Sequence, residues 1–75
     1  MQRYANLSGR AGVVAYAIGP DSIEIRFRHG GTYRYTHAKP GRVQVEAMKR
    51  LARAGRGLTT YISQSVRDAY ESRRE

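Results

Sequence analysis

Seventy-five residues make one small domain or part of one, and a core of this size rarely supplies more than about 3–5 kcal/mol of net stability. The chain contains no cysteine, which excludes a disulfide framework and thiolate metal sites. Fourteen Lys and Arg against six Asp and Glu give a net charge of +8. Because most of these cations are arginines, which fork onto phosphate and stack on bases, the composition favours a small cytoplasmic module with an acidic partner and argues against most enzymes.

The first half of the chain predicts three strands. Val13–Ile18 is apolar throughout, Ile23–Arg28 alternates apolar and polar residues, and Thr32–Thr36 alternates Tyr with polar residues. Turn-forming residues at Gly19–Ser22 and His29–Gly31 separate them. The sequence therefore predicts an antiparallel β-meander.

Loop lengths predict which residues pair. A four-residue loop between the first two strands pairs Ile18 with Ile23, Tyr16 with Ile25 and Val14 with Phe27. A three-residue loop at His29–Gly31 pairs Arg28 with Thr32, Phe27 with Tyr33, Arg26 with Arg34 and Ile25 with Tyr35. Such a loop typically ends in a residue with left-handed backbone conformation, which suits Gly31.

This register predicts an apolar face made of Val14, Tyr16, Ile18, Ile23, Ile25, Phe27, Tyr33 and Tyr35. The other face would hold Val13, Ala15, Ala17, Glu24, Arg26, Arg28, Thr32, Arg34 and Thr36. A two-residue loop at Gly30-Gly31 is the alternative, and it would turn both tyrosines toward the arginine face.

The second half predicts two helices. The first has Pro40 in its first turn, ends before Gly55 and buries the stripe Val43, Ala47, Met48, Leu51 and Ala54. The second begins near Thr59 or Thr60, both competent N-caps, and buries Leu58, Ile62, Val66, Ala69 and Tyr70. The expected fold is α+β, a three-stranded antiparallel β-meander followed by two helices packed on one sheet face.

The ordered set of motifs resembles the KTSC domain family, a short domain of bacterial and phage proteins that also occurs at the C-terminus of some lysyl-tRNA synthetases. The matching residues lie within about residues 8–70 and are Ile23–Phe27, Gly30-Gly31, Tyr33-Arg34-Tyr35, Pro40, Gly57-Leu58, Tyr61-Ile62, Val66 and Tyr70. The chain departs from the family at Arg53–Arg56, where members often carry a Ser, and at Thr59, where many carry an Asn. The resemblance implies RNA binding and no established activity.

The domain organisation follows from these elements. Residues 1–10 are expected to form a flexible N-terminal segment, residues 11–72 a single KTSC-like domain, and residues 73–75 a charged C-terminal tail. The longest run of apolar and glycine residues, Ala11–Gly19, is far too short to span a membrane.

The arginines and tyrosines of the sheet are candidate nucleic-acid-binding residues. Arg26 opposite Arg34, with Arg28 diagonal to Arg34, would bring like charges together, which destabilises a sheet unless an anion such as phosphate neutralises them. The alternative is that Glu24 neutralises part of the cluster and the arginines extend into water. Tyr33 and Tyr35 either pack in the core or form a base-stacking platform.

Three further arginines, Arg50, Arg53 and Arg56, would extend the positive surface toward the Gly55-Arg56-Gly57 turn. Free backbone N–H groups where this turn enters the second helix would suit an anion. The alternative is that Gly55 only ends the first helix and that the turn is a tight connection.

No pattern of a catalytic, metal or cofactor site is present in the sequence. His29 and His37 lack metal-ligand spacing, and the chain has neither a nucleophile elbow nor a phosphate-binding loop motif. We therefore expect neither an enzyme nor a small-molecule substrate.

Two functions are consistent with these features. The first is a non-enzymatic nucleic-acid-binding module, for RNA more than DNA, dominated by contacts between arginine and phosphate. The second is a small protein–protein interaction module that binds an acidic protein surface and forms a homodimer, motivated by the apolar stripe Val13, Ala15 and Ala17 on the arginine face.

Overall fold

The computed structural model describes residues 1–7, 9, 12–66 and 68–74, in which one antiparallel sheet of five strands in chain order packs against a helical layer. The elements are β1 (Gln2–Arg3), β2 (Val13–Ile18), β3 (Ser22–Phe27), β4 (Gly31–Thr36), α1 (Arg42–Ala54), α2 (Leu58–Tyr61), a π-helical continuation of α2 (Ile62–Val66) and β5 (Ser72–Arg74). The predicted α+β class is confirmed, but the sheet has five strands instead of three.

The two additional strands are the edges of the sheet. β1 pairs with β2, and β5 pairs with β4. Residues 2–3, expected in a flexible N-terminal segment, and residues 73–74, expected in a charged tail, are therefore strand residues. Neither strand is long enough to show an alternating pattern in the sequence.

The β2–β3 hairpin has the predicted pairing near its turn and a bulge farther away. Ile18 pairs with Ile23 as expected, but the register shifts between Val13 and Ala15, so that Phe27 pairs with Val13 and not with Val14. The extra residue in the bulge turns Val13 into the core and leaves Val14 only half-buried. The predicted faces of these two valines are therefore exchanged.

The loop of the β3–β4 hairpin has three residues, as predicted, but it begins one residue earlier in the chain. Its three loop residues are 28–30, Phe27 pairs with Gly31, and Ile25 pairs with Tyr33 instead of Tyr35. Gly31 has a φ of 85°, which glycine adopts without a steric penalty. Compared with the prediction, the register is shifted by two residues. This changes which residues pair but leaves each side chain on the predicted face of the sheet, because side chains alternate with a period of two.

Helix α1 ends as predicted and buries Ala47 and Met48 of the predicted stripe, with Leu51 packed against the core, but Val43 and Ala54 are exposed. Gly55, with a left-handed φ of 78°, donates its N–H to the carbonyls of Leu51 and Ala52. Val43, expected in the core, is 76% exposed. The residues that face the sheet side are Val45, Ala47, Met48, Lys49 and Ala52. Val43 lies about 200° around the helix from Val45, since each residue turns about 100°.

Helix α2 buries Leu58, and its π-helical continuation buries Ile62 and Val66, as the sequence predicts. The helix begins directly after Gly57, whose φ is 82°, and has no side-chain cap. Thr59 and Thr60 therefore lie inside the helix instead of capping it. No helix within the described ranges has both the length and the apolar character that a bilayer crossing requires.

Residues 4–7 contact the connection between α1 and α2 and hydrogen-bond to it. Tyr4 is buried in the core, and its hydroxyl accepts a hydrogen bond from the Leu58 N–H at 3.3 Å. Leu7 donates its N–H to the Gly55 carbonyl at 2.7 Å. A Cβ on residue 55 would lie 2.7 Å from the Ala5 Cβ. Residues 2–7 are thus an integral part of the domain.

Candidate nucleic-acid interface

The face of the sheet that points away from the helices carries a row of arginines. The strand register places Arg3, Ala15, Arg26, Thr32 and Arg74 beside one another on β1 to β5. We call Arg3, Arg26 and Arg74 the outer arginine row. Neighbouring strands lie about 4.8 Å apart, so successive arginines of the row are about 10 Å apart with a small side chain between them.

Arg34 lies next to this row but is paired within the protein. It stands directly opposite Glu24, with Nη1 3.4 Å from Oε2, and its Nε lies 3.5 Å from Glu71 Oε1. The predicted opposition of Arg26 and Arg34 is therefore wrong, because the two-residue slide of the hairpin brings a carboxylate to that position. The directly opposed arginines expected from the sequence are thus replaced by a pair of opposite charge.

Arg26 and Arg3 differ from Arg34 in this respect. Both are exposed, and no carboxylate of the described residues lies within 4.0 Å of either guanidinium. Arg74 shares Glu24 with Arg34, since its Nη2 lies 3.3 Å from Oε1. The outer face thus presents more positive than negative charge, concentrated at Arg3 and Arg26.

The arginines of the helical layer do not join the row. Arg50 and Arg53 are exposed on α1, and Arg56 is exposed in the connection that follows it. The sheet separates the helical layer from the outer face, although Arg53 reaches the β1 edge beside Gln2. These three arginines, predicted to extend the positive surface, therefore lie on the helical side of the sheet and not within the outer arginine row.

Both candidate tyrosines of β4 lie on the helix-facing side of the sheet. Tyr35 is 1% exposed, and burial, followed by the nearby Tyr33 and Tyr70 hydroxyls and Asp68, raises its pKa to about 12. Tyr35 is therefore a core residue that no ligand reaches by stacking. Tyr33 is only half-buried, because it lies where the core opens to solvent.

An open aromatic cleft of about 700 Å³ begins at Tyr33. The Tyr33 ring meets the Phe27 ring edge-on at 5.2 Å and the Tyr70 ring edge-on at 4.8 Å. The Arg73 guanidinium lies 5.8 Å from the centre of the Tyr33 ring. Arg28, in the hairpin turn and away from Arg34, also lines the cleft, together with His29, Ile62, Ser63 and Asp68.

Sequence reasoning missed most of this cleft. Tyr70 was expected only as a core residue, and Arg73 as part of the tail. The signal in the sequence was the Tyr33-Arg34-Tyr35 motif, which shows neither that Tyr70 approaches it nor which ring reaches solvent.

A second polar group, which we call the lysine cluster, consists of His37, Glu46 and Lys49. Glu46 Oε2 lies 2.9 Å from Lys49 Nζ and 2.8 Å from His37 Nε2. The hydrogen bond from Lys49, and then that with His37, lowers the pKa of Glu46 to about 2. The buried Lys49 also donates to the Gly19 carbonyl at 2.9 Å, so the cluster ties α1 to the β2–β3 turn.

No protein-family model, curated protein or solved structure was found to match this chain. The resemblance to the KTSC domain family therefore stays a prediction.

Proposed function

We propose that the protein is a non-enzymatic nucleic-acid-binding module that holds RNA by its phosphates, with the outer arginine row as the contact surface. The observation that supports this most is the pair Arg3 and Arg26. Both guanidiniums are exposed on a sheet face without a helical cover, and within the described residues neither has a carboxylate partner.

The chemistry of the row suits a phosphate backbone. Guanidinium groups donate paired hydrogen bonds to phosphate oxygens, and each neutralised phosphate releases condensed counterions. Ala15 and Thr32 are small enough to let a backbone approach the sheet between the arginines. The net charge of +8 would attract a polyanion over longer distances.

The composition of the outer face favours binding without base preference. The register places no aromatic residue there among the described strand positions, so the row offers contacts to the backbone and not to bases. The choice of RNA over DNA comes from the resemblance to the KTSC domain family. A comparison of a single-stranded RNA with the DNA of the same sequence tests that choice.

Two double variants with the same loss of charge test the contact surface. Arg3→Gln with Arg26→Gln removes the two unpaired arginines of the row, whereas Arg50→Gln with Arg53→Gln removes two exposed arginines of α1. Binding of a fluorescein-labelled 15-nucleotide RNA is measured by anisotropy between 50 and 200 mM salt. Loss of two phosphate contacts makes the slope of log K against log salt shallower by about 1.4.

We expect the shallower slope for the Arg3 and Arg26 variant and a nearly unchanged slope for the α1 variant. Equal weakening by both variants would show that net charge alone attracts the RNA and would refute the contact surface. No binding of RNA or DNA at 50 mM salt would refute the function itself. Melting temperatures of both variants, expected to match the wild type, exclude unfolding as the cause.

The alternative of a dimeric protein–protein interaction module has lost part of its support. Its apolar stripe included Val13, which the bulge turns into the core. Ala15 and Ala17 remain, both half-buried and small. Sedimentation equilibrium of the wild type tests the remaining possibility, since a dimer at micromolar concentration would restore it.

A further inference from the structure

The aromatic cleft has the flat surfaces that a planar ligand requires. The rings of Phe27 and Tyr70 stand at 84° and 85° to the ring of Tyr33, so aromatic surfaces of two orientations meet at one opening. The Arg73 guanidinium adds a planar cation beside them. Aromatic rings and guanidinium planes are the groups on which proteins stack unpaired bases.

The size and charge of the cleft narrow the choice of ligand. About 700 Å³ lies within the range of small-molecule sites, and the cleft is open to solvent. Arg28 and Arg73 supply positive charge, while Asp68 is the one carboxylate among the described lining residues. An anionic ligand with a planar ring fits this set, and the carboxylate can accept a hydrogen bond from a base amino group or a 2′-hydroxyl.

The position of the cleft connects it with the outer arginine row. Side chains alternate along β5, so Arg73 points to the cleft while Arg74, the next residue, belongs to the row. Arg28 lines the cleft and also a smaller pocket that it shares with Arg3. Arginines therefore continue around the sheet from the outer face to the mouth of the cleft.

We infer that the aromatic cleft binds one unpaired nucleobase of a single-stranded RNA, with an adjoining phosphate held by Arg28. This inference rests on the proposed function for its ligand class, and it adds a base contact that the outer face lacks. The base stacks among Tyr33, Tyr70 and Arg73, and the strand continues over the edge strand β5 to the row.

The test uses an eight-nucleotide uridine-rich RNA with a single 2-aminopurine, whose fluorescence is quenched when it stacks. Tyr33→Leu keeps an apolar side chain but removes the ring, and Arg28→Gln removes an exposed cation. Tyr61→Leu and Arg42→Gln are the matched controls, since neither residue lines the cleft. Melting temperatures are recorded for all four variants.

We expect wild-type protein to quench the fluorescence and Tyr33→Leu to bind about tenfold more weakly without quenching. Its salt slope should remain that of the wild type, because stacking involves no counterions. Arg28→Gln should reduce the salt slope by about 0.7 and also reduce quenching. The control variants should quench as the wild type does.

Undiminished quenching in folded Tyr33→Leu, or equal losses in Tyr61→Leu, would overturn the inference. If Tyr33→Leu does not fold, the Arg28→Gln variant tests the inference instead. Quenching by Arg28→Gln as strong as that of the wild type would then overturn the inference. RNA binding that depends on Arg3 and Arg26 but never quenches the probe would refute the cleft and leave the proposed function standing. If the probe is quenched but the salt slope does not depend on Arg3 and Arg26, base binding in the cleft would be supported and the outer arginine row would be refuted as the phosphate contact surface.

Discussion

The outer arginine row and the lysine cluster place positive charge in opposite surroundings. Arg26 is exposed on the sheet and has no carboxylate partner among the described residues. Lys49 is 5% exposed and bound to Glu46 and to the carbonyls of Gly19 and Pro20. The comparison shows that a cation with hydrogen-bond and ion-pair partners in the protein holds two elements together. A cation without a carboxylate partner can instead bind an external anion.

The same comparison predicts two separate mutational effects. Loss of a partnered charge should lower stability and leave RNA affinity nearly unchanged. Loss of an unpartnered charge should lower RNA affinity and leave stability unchanged. A variant that changes both quantities, or the wrong one, would break the distinction.

The largest effect is expected at Lys49. Lys49→Met keeps the length of the side chain but leaves the Gly19 and Pro20 carbonyls without their donor. Hydrogen bonds to charged groups contribute about 1.5–3 kcal/mol, so we expect the free energy of unfolding in urea to fall by about 2 kcal/mol. Arg50→Met is the control, because it removes the same charge from an exposed neighbour and should stay within about 0.5 kcal/mol. Equal losses at both positions would contradict a special role of the buried charge.

The next effect concerns acid stability and depends on Glu46. Its pKa falls from 4.5 to about 2 on folding, chiefly through the hydrogen bond from Lys49. A lowered carboxyl pKa stabilises the folded state above pH 4.5, and this contribution is lost as the pH falls from 4.5 to 2. Glu46→Gln lacks this contribution, so its melting temperature should lie below that of the wild type at pH 6 and approach it near pH 2. A constant difference across this range would show that the cluster does not hold the carboxylate ionised.

The central fold could be predicted because its signals are periodic. Ile23 and Ile25 alternate with polar neighbours, and Leu58, Ile62 and Val66 recur at helical spacing. Because strand side chains alternate, the two-residue slide of the β3–β4 hairpin left the faces of Tyr33 and Tyr35 unchanged.

The pairing across that hairpin could not be predicted from alternation alone. The slide replaces Arg26 by Glu24 as the partner of Arg34, so an expected repulsion becomes an attraction. The residues that complete the candidate sites, Arg3, Arg73 and Arg74, lie in strands of two and three residues that carry no periodic signal. The bulge at Val14 likewise depends on the strand pairing and not on local sequence.

The smallest expected effect compares two arginines on one face of the sheet. Arg34→Gln removes a cation that bridges Glu24 and Glu71, although Glu24 keeps its contact with Arg74 and Glu71 keeps its hydrogen bond from Thr36. Because the Arg34 side chain is 39% exposed and solvent screens such pairs, we expect a loss of no more than about 1 kcal/mol. Arg26→Gln should change stability by less than about 0.5 kcal/mol.

RNA affinity should fall more in Arg26→Gln than in Arg34→Gln, which is the reverse of the order expected for stability. Arg26→Gln removes a cation with no carboxylate neighbour among the described residues, so the salt slope should fall by about 0.7. Arg34→Gln also removes one charge, but its guanidinium is already neutralised by Glu24 and Glu71, and the slope should change less. Urea denaturation and anisotropy titrations on the two single variants separate the roles, because both remove the same group from the same face. Equal slopes for the two variants would mean that RNA displaces the carboxylates, and that pairing within the protein does not decide which arginine binds.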